Sequence, residues 1–185
     1  INLYQYGLRG ARGAVLTAGE TTISRELFRR YSQTRDIDKE FPGARGFGFI
    51  RRVTVEQEVE FLAKAQLDGK PDFAIRQFTP HGGDRYVIQY VEPVDRNAAA
   101  IGLDIASEEH RREAAETSMH SGAITITAPI TLVQATGNPS QSFLIFLPIY
   151  STALTPETVA ERERQDRERA HDLCVPADPS SRTVT

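Results

Sequence analysis

An α+β fold built on a mainly antiparallel sheet is what this sequence predicts, from three features of the chain. Blocks of helical period opened by capping residues alternate with short apolar runs of strand character. The turn clusters Pro80-His81-Gly82-Gly83-Asp84 and Thr136-Gly137-Asn138-Pro139-Ser140 join such runs with no helix between them, and strands joined by a tight turn are antiparallel. The longest nearly unbroken apolar run, Phe143 to Ile149, has a strand's length and falls far short of the roughly 20 residues that span a bilayer.

The first block, Ile1 to about Ala18, has helical period. Gly7, Gly10 and Gly13 recur along one side while Leu3, Tyr6 and Val15 supply bulk. Each glycine costs up to about 1 kcal/mol in a helix interior, so three in series need a packing reason or a non-helical backbone; close packing, in a stalk or a dimer seam, is the preferred reading. Ser24 is placed as the N-cap of a second helix to about Gln33, with Leu27, Phe28 and Tyr31 on its buried face. Asp36 to Phe41 reads as a short turn or helix stopped by Pro42-Gly43, and Gly46 to Val53 as the first strand. Thr54-Val55-Glu56-Gln57 is a capping box. In the helix it opens, Val55, Val59, Leu62, Ala63 and Gln66 keep the period until Gly69 and Pro71 end it.

Phe73 to Phe78 and Tyr86 to Val91 alternate as two strands of a hairpin turned at Pro80 to Asp84. Ser107 caps a helix from Glu108 to about His120, with Glu108 and Glu109 in the first turn where the macrodipole favours anions. Two final strands follow, Ala123 to Val133 and Ser142 to Tyr150. Thr155 and Pro156 then open a charged helix, Glu157 to His171, with pairs such as Glu163/Arg167, and the residues after Cys174 read as a flexible tail.

At 39% hydrophobic and 25% charged, 185 residues suit one domain, or two small lobes sharing a core. A net charge of −3 gives no bulk electrostatic reason to bind nucleic acid. One cysteine, Cys174, forms no internal disulfide. His81, His110, His120 and His171 are scattered without metal-ligand spacing, so neither a metal nor another cofactor is expected. Gly43, Gly46 and Gly48 mimic a phosphate loop, yet they precede a strand where such a loop joins a strand to a helix, and no Gly-Lys-Ser/Thr follows. They are expected to let the chain turn sharply. The chain begins at Ile1 without a signal peptide or anchor, so it reads as a processed protein or a piece of one.

Asp104 stands between Leu103 and Ile105, where a carboxylate needs a donor to offset its desolvation. A ligand N–H would serve. Backbone amides near the start of the next helix, or Arg112, would serve equally. Thr125 and Thr127 share one strand face, with Ile126 on the other. If Asp104 lines a pocket, this strand is its floor. Tyr90 and its neighbour Gln89 cannot both line one cavity in a regular strand, and Tyr90 is the preferred candidate, its ring stacking on a flat ligand or packing as core. Arg112 is placed as a structural cation.

The block Arg96-Asn97-Ala98-Ala99-Ala100-Ile101-Gly102-Leu103-Asp104-Ile105-Ala106-Ser107 is followed by Arg112, Ser121-Gly122 and the Ala123 to Ile130 strand. With Tyr6 to Gly13, Arg29-Arg30-Tyr31 and Phe41 to Phe49 upstream, this order resembles the CHASE family, the extracellular ligand-sensing domains of membrane histidine kinases and cyclases, over roughly residues 3 to 150. The resemblance implies a long N-terminal helix followed by PAS-like lobes, and no catalysis by the domain itself. The chain accordingly divides into a helical stalk (1–40) and a PAS-like ligand-sensing region (41–150), followed by a charged helix with tail (151–185) where the sequence departs from the family, which usually closes with another apolar strand. The resemblance implies periplasmic or extracellular placement with membrane spans outside this chain, and a homodimer through the N-terminal helix. It places Asp104 where the family's plant cytokinin receptors hold an adenine ring, and Ile126 and Thr127 where they have a pocket leucine and a sensitive threonine. The ligand set is therefore Asp104, Thr125, Ile126, Thr127 and Tyr90, for a purine-like or other flat heterocycle. Two alternatives stand beside it: a stand-alone enzyme using Arg45 and the Gly43 to Gly48 loop on a nucleotide-like substrate, and an interaction module using the Glu157 to His171 helix.

Overall fold

A computed structural model describes residues 2–133, 141–150, 158 and 160, and the backbone of 171–177. Among the described residues, the named elements make one α+β unit: α1 (Asn2–Ala18), α2 (Arg25–Ser32), α3 (Ile37–Glu40), β1 (Phe47–Val53), α4 (Glu58–Leu67), β2 (Arg85–Glu92), α5 (Glu109–Ser121), β3 (Thr125–Ile126), β4 (Ile130–Thr131), β5 (Gln141–Ile149) and β6 (His171–Ala177). Every strand pairing is antiparallel. The sheet order is β2-β1-β6-β5-β3, with β4 also on β5.

Helices cover both faces of this sheet, which explains the apolar continuity of β5. Leu144 and Phe146 enter a core shared with α4, α5 and the segment 100–106, while Ile145, Leu147 and Ile149 enter a second core shared with α1, α2 and α3. Each fully buried aromatic, such as Phe49 or Phe146, contributes about 1.5–3 kcal/mol by leaving water. A second lobe with its own sheet is absent among the described residues.

The segment 2–40, expected as a stalk, lies along this second core. A Cβ at Gly7 would stand 2.6 Å from the Phe47 ring and 2.7 Å from that of Phe41, and one at Gly10 would stand 2.8 Å from the Tyr31 hydroxyl. Those two glycines therefore serve close packing within the chain, and only Gly13 faces open space.

Local signals held where capping chemistry set them. Ser24 Oγ accepts from Leu27 N–H, and Gln57 Oε1 reaches back to the Thr54 amide at 3.4 Å, although the box opens a 3₁₀ turn, Val55–Gln57, ahead of α4. Other expectations are corrected. Leu27 is 43% exposed and α2 buries Phe28 and Ser32. Phe73 to Phe78 forms no strand; its backbone meets residues 102–104 through a single bridge, Arg76 to Leu103. Glu108, one residue after Ser107, caps α5 by accepting from the amides of His110 and Arg111. The strand from Ala123 to Val133 breaks into β3 and β4 around Pro129, which has no N–H to give a ladder. The residues after Cys174, read as a tail, continue β6 to Ala177 between β1 and β5. The turn at Thr136 to Ser140 and most of the Glu157 to His171 helix lie outside the described residues, and His171 itself begins β6.

Candidate functional site

A register shift between β1 and β2 builds the site. Phe49 pairs with Tyr90 and Ile50 with Ile88, so Gln89 is an extra residue on β2, a bulge that breaks strict alternation. Gln89 and Tyr90 consequently lie on one side, where Gln89 Nε2 donates to the Tyr90 hydroxyl at 3.0 Å. Both line one cavity, which corrects the expectation that only one could.

That cavity, of about 480 Å³, opens between the residues leading into α2 (Thr21 to Ser24), strands β1 and β2, and helix α4. Its apolar wall is Ile23, Val53 and Phe61. Its polar side is a continuous network. Arg51 Nε donates to Gln89 Oε1 at 2.7 Å and Arg51 Nη2 to the Glu20 carbonyl at 2.7 Å. The Tyr90 hydroxyl meets Asp68 Oδ2 at 2.6 Å and the Ile23 carbonyl at 3.0 Å. Asp68 accepts the Arg25 amide with both oxygens, which holds the first turn of α2 to the end of α4. At the rim, Lys64 pairs with Glu60 at 2.6 Å, and Arg52 pairs with Asp84 at 2.8 Å.

Burial pushes the Tyr90 hydroxyl well above the usual phenol range, reinforced by its hydrogen bond to Asp68 and that carboxylate's charge. Burial pulls the Arg51 guanidinium down. Tyr90 therefore stays a neutral hydrogen-bonding group, and its ring is not open for stacking: Phe49 stacks on it at 5.9 Å and the Arg25 guanidinium lies 5.3 Å from its centroid. The core alternative for this aromatic describes its ring, while its hydroxyl edge belongs to the cavity network.

Asp104 is fully buried and has four donors from the protein. Oδ1 accepts the amides of Tyr86 at 2.9 Å and Ala106 at 3.0 Å; Oδ2 takes Gln77 Nε2 at 2.9 Å and His81 Nε2 at 2.8 Å. The backbone-amide alternative is the one realised. Arg112 turns elsewhere, to the Ala106 carbonyl at 2.7 Å. Thr125 Oγ1 donates to the Ala114 carbonyl on α5 at 2.7 Å, Thr127 Oγ1 accepts the Leu144 amide at 3.0 Å, and Ile126 is 40% exposed on the opposite side. The parity expected of this strand is present. Asp104 is bridged to β2 at one sheet edge and Thr125 and Ile126 occupy the other; the cavity between α2, the sheet and α4 is lined by none of Asp104, Thr125, Ile126 and Thr127.

Sequence reasoning missed Arg51, Asp68 and the Thr21 to Ser24 loop, and it set Gln89 aside in favour of Tyr90. The only local signal was a polar pair, Gln89 and Arg51, within strands otherwise rich in apolar residues. The Gly43 to Gly48 loop is spent on packing: a Cβ at Gly46 would fall 2.2 Å from the Glu92 carbonyl oxygen, and Arg45 donates to the Arg96 carbonyl. Among the described residues no cluster of three or more His, Cys, Asp or Glu is placed to hold a metal, and no helix is long and apolar enough to cross a membrane.

A family model for the CHASE domain matches residues 21–170, which takes in every element of the site. No curated protein matches the sequence.

Proposed function

This chain belongs to the CHASE domain family, the sensory extracellular domains of signalling receptors, and we propose that it is the extracytoplasmic small-molecule input domain of a transmembrane receptor of histidine kinase or diguanylate cyclase type. The observation that carries the reading is the cavity of about 480 Å³, within the range that holds small organic ligands. It combines an apolar wall with a fixed set of hydrogen-bonding groups.

The ligand we propose is a small molecule with a hydrogen-bonding edge, a purine-like or other flat heterocycle included. It sits against Ile23, Val53 and Phe61 with its polar edge toward Thr22, Ser24 and Gln89. This places the site at the Tyr90 end of the sheet and gives Asp104 and the threonines of 125–127 a structural role. A ligand there touches both the loop that follows α1 and the network joining α2 to α4. Differential affinity for two packings of these elements is the only source of a signal. The receptor would be a homodimer through the outward face of α1, where Leu3 and Tyr6 are 47% and 70% exposed and Gly13 is open. Its membrane anchoring would come from segments outside this sequence.

A thermal-shift screen of purines, amines and organic acids tests the site. Thr21→Trp fills the mouth from an exposed position. A stabilising compound is expected to lose its effect in that variant; a shift that survives it places the ligand elsewhere.

A further inference from the structure

The apolar stripe that the sequence offers for burial turns outward in the fold. Val59 is 80% exposed and Leu67 is 88% exposed, while Phe61 on the same helix is buried. Val59, Ala63 and Leu67 recur every four residues, so they form one line along α4, which Val55 extends toward its start. Large apolar side chains aligned this way mark an interaction surface.

We propose that this stripe is a self-association surface on which α4 of a second copy of the chain docks antiparallel, about a two-fold axis level with Ala63. The stripe is self-complementary about that point. Val59 meets Leu67 of the second copy, Leu67 meets its Val59, and the small Ala63 meets its equivalent where the helix axes come closest. The charges are self-complementary too. Glu58 and Glu60 lie in the first turn of α4 and Lys64 in the last, so antiparallel docking sets Lys64 about 3 Å along the axis from Glu60 of the second copy. The helix dipoles then also oppose favourably.

Within one chain Glu60 and Lys64 already pair, with side chains 69% and 73% exposed; docking shares these ions between copies. Both residues also rim the ligand cavity, so a second copy and a bound ligand would alter each other's affinity by the same factor. The surface is separate from the α1 seam and does not depend on the cavity holding a ligand.

Sedimentation of the chain carrying Tyr6→Asp, which removes the α1 seam, is expected to show a concentration-dependent dimer. Val59→Asp combined with Leu67→Asp is expected to abolish it while leaving the melting temperature of the dilute monomer unchanged, because both side chains are exposed. Glu60→Lys and Lys64→Glu are each expected to weaken it several-fold, and the double reversal to restore it. In a Cys174→Ser background, Ala63→Cys is expected to cross-link two copies under oxidation, and Glu113→Cys, exposed on α5, to leave them separate. A monomer at every concentration, or a dimer that survives the Val59/Leu67 double substitution, overturns the proposal. Failure of the double reversal to restore association overturns the antiparallel geometry.

Discussion

Gln89 and Tyr90 are consecutive on one strand, yet the amide of the first donates to the hydroxyl of the second at 3.0 Å. The bulge opposite Phe49 and Ile50 makes this possible, and it converts two alternating positions into one polar surface that meets Arg51 from β1 and Asp68 from α4.

The Tyr90 hydroxyl is the hub of that surface. Tyr90→Phe leaves Asp68 Oδ2 and the Ile23 carbonyl without this donor and is expected to cost about 1–3 kcal/mol in urea unfolding, with the denaturant slope unchanged. The pH dependence has a definite sign. The folded state holds the phenol proton more tightly than the unfolded chain, so its contribution is complete below the ordinary value of 10.0 and is lost as pH rises from there toward the folded value. Wild type is expected to lose stability above that value more steeply than the phenylalanine variant. Parallel profiles would contradict this.

Asp104 should behave as a structural carboxylate. Asp104→Ala strands two buried amides together with Gln77 and His81, and a loss of about 3–5 kcal/mol is expected in chemical denaturation. A loss under about 1 kcal/mol would show that these four donors find other acceptors.

Burial raises the Glu92 carboxyl above its usual range, against the Val94 amide and the charges of Arg29 and Arg25. The folded state therefore disfavours the carboxylate, and stability falls as pH rises from the ordinary value of 4.5 through the folded one. Glu92→Gln is expected to melt at higher temperature than wild type at neutral pH. The gap should close in acid, where both states are protonated. A gap that is the same at both pH values would count against burial as the cause.

Two glycines should respond in opposite directions to alanine. At Gly46 the new methyl would fall 2.2 Å from the Glu92 carbonyl oxygen, so the loop must move and the protein is expected to lose stability. At Gly13, on the open side of α1, no atom stands within 4 Å, and about 1 kcal/mol of helix propensity is expected as a gain. Calorimetry on the two variants checks both signs.

Helix α4 shows how far the sequence reaches. Its capping box, its length and its period were legible because each is a local property. Its phase was not. Val55, Val59 and Ala63 are as regular a stripe as Phe61 and Ala65, and the choice between them was made by the Phe73 ring, which meets Phe61 edge-on at 5.7 Å. The same holds for the end of the chain: the stretch from His171 to Ala177 offers a weak strand signal, and its pairing with both β1 and β5 makes it a strand.

The sequence by itself determined the fold class, the caps at Ser24 and Thr54, the break at Pro42-Gly43, and the family, because these depend on chain order and on interactions a few residues long. It also marked Asp104 as an acid needing donors. Tertiary structure alone decided who the donors are, bringing Gln77 and His81 from 27 and 23 residues away to fill the carboxylate. It also decided where the polar cavity lies, because a one-residue register shift between β1 and β2 turned Gln89 to the side of Tyr90. Pairing register depends on strands distant in sequence, and no local pattern encodes it.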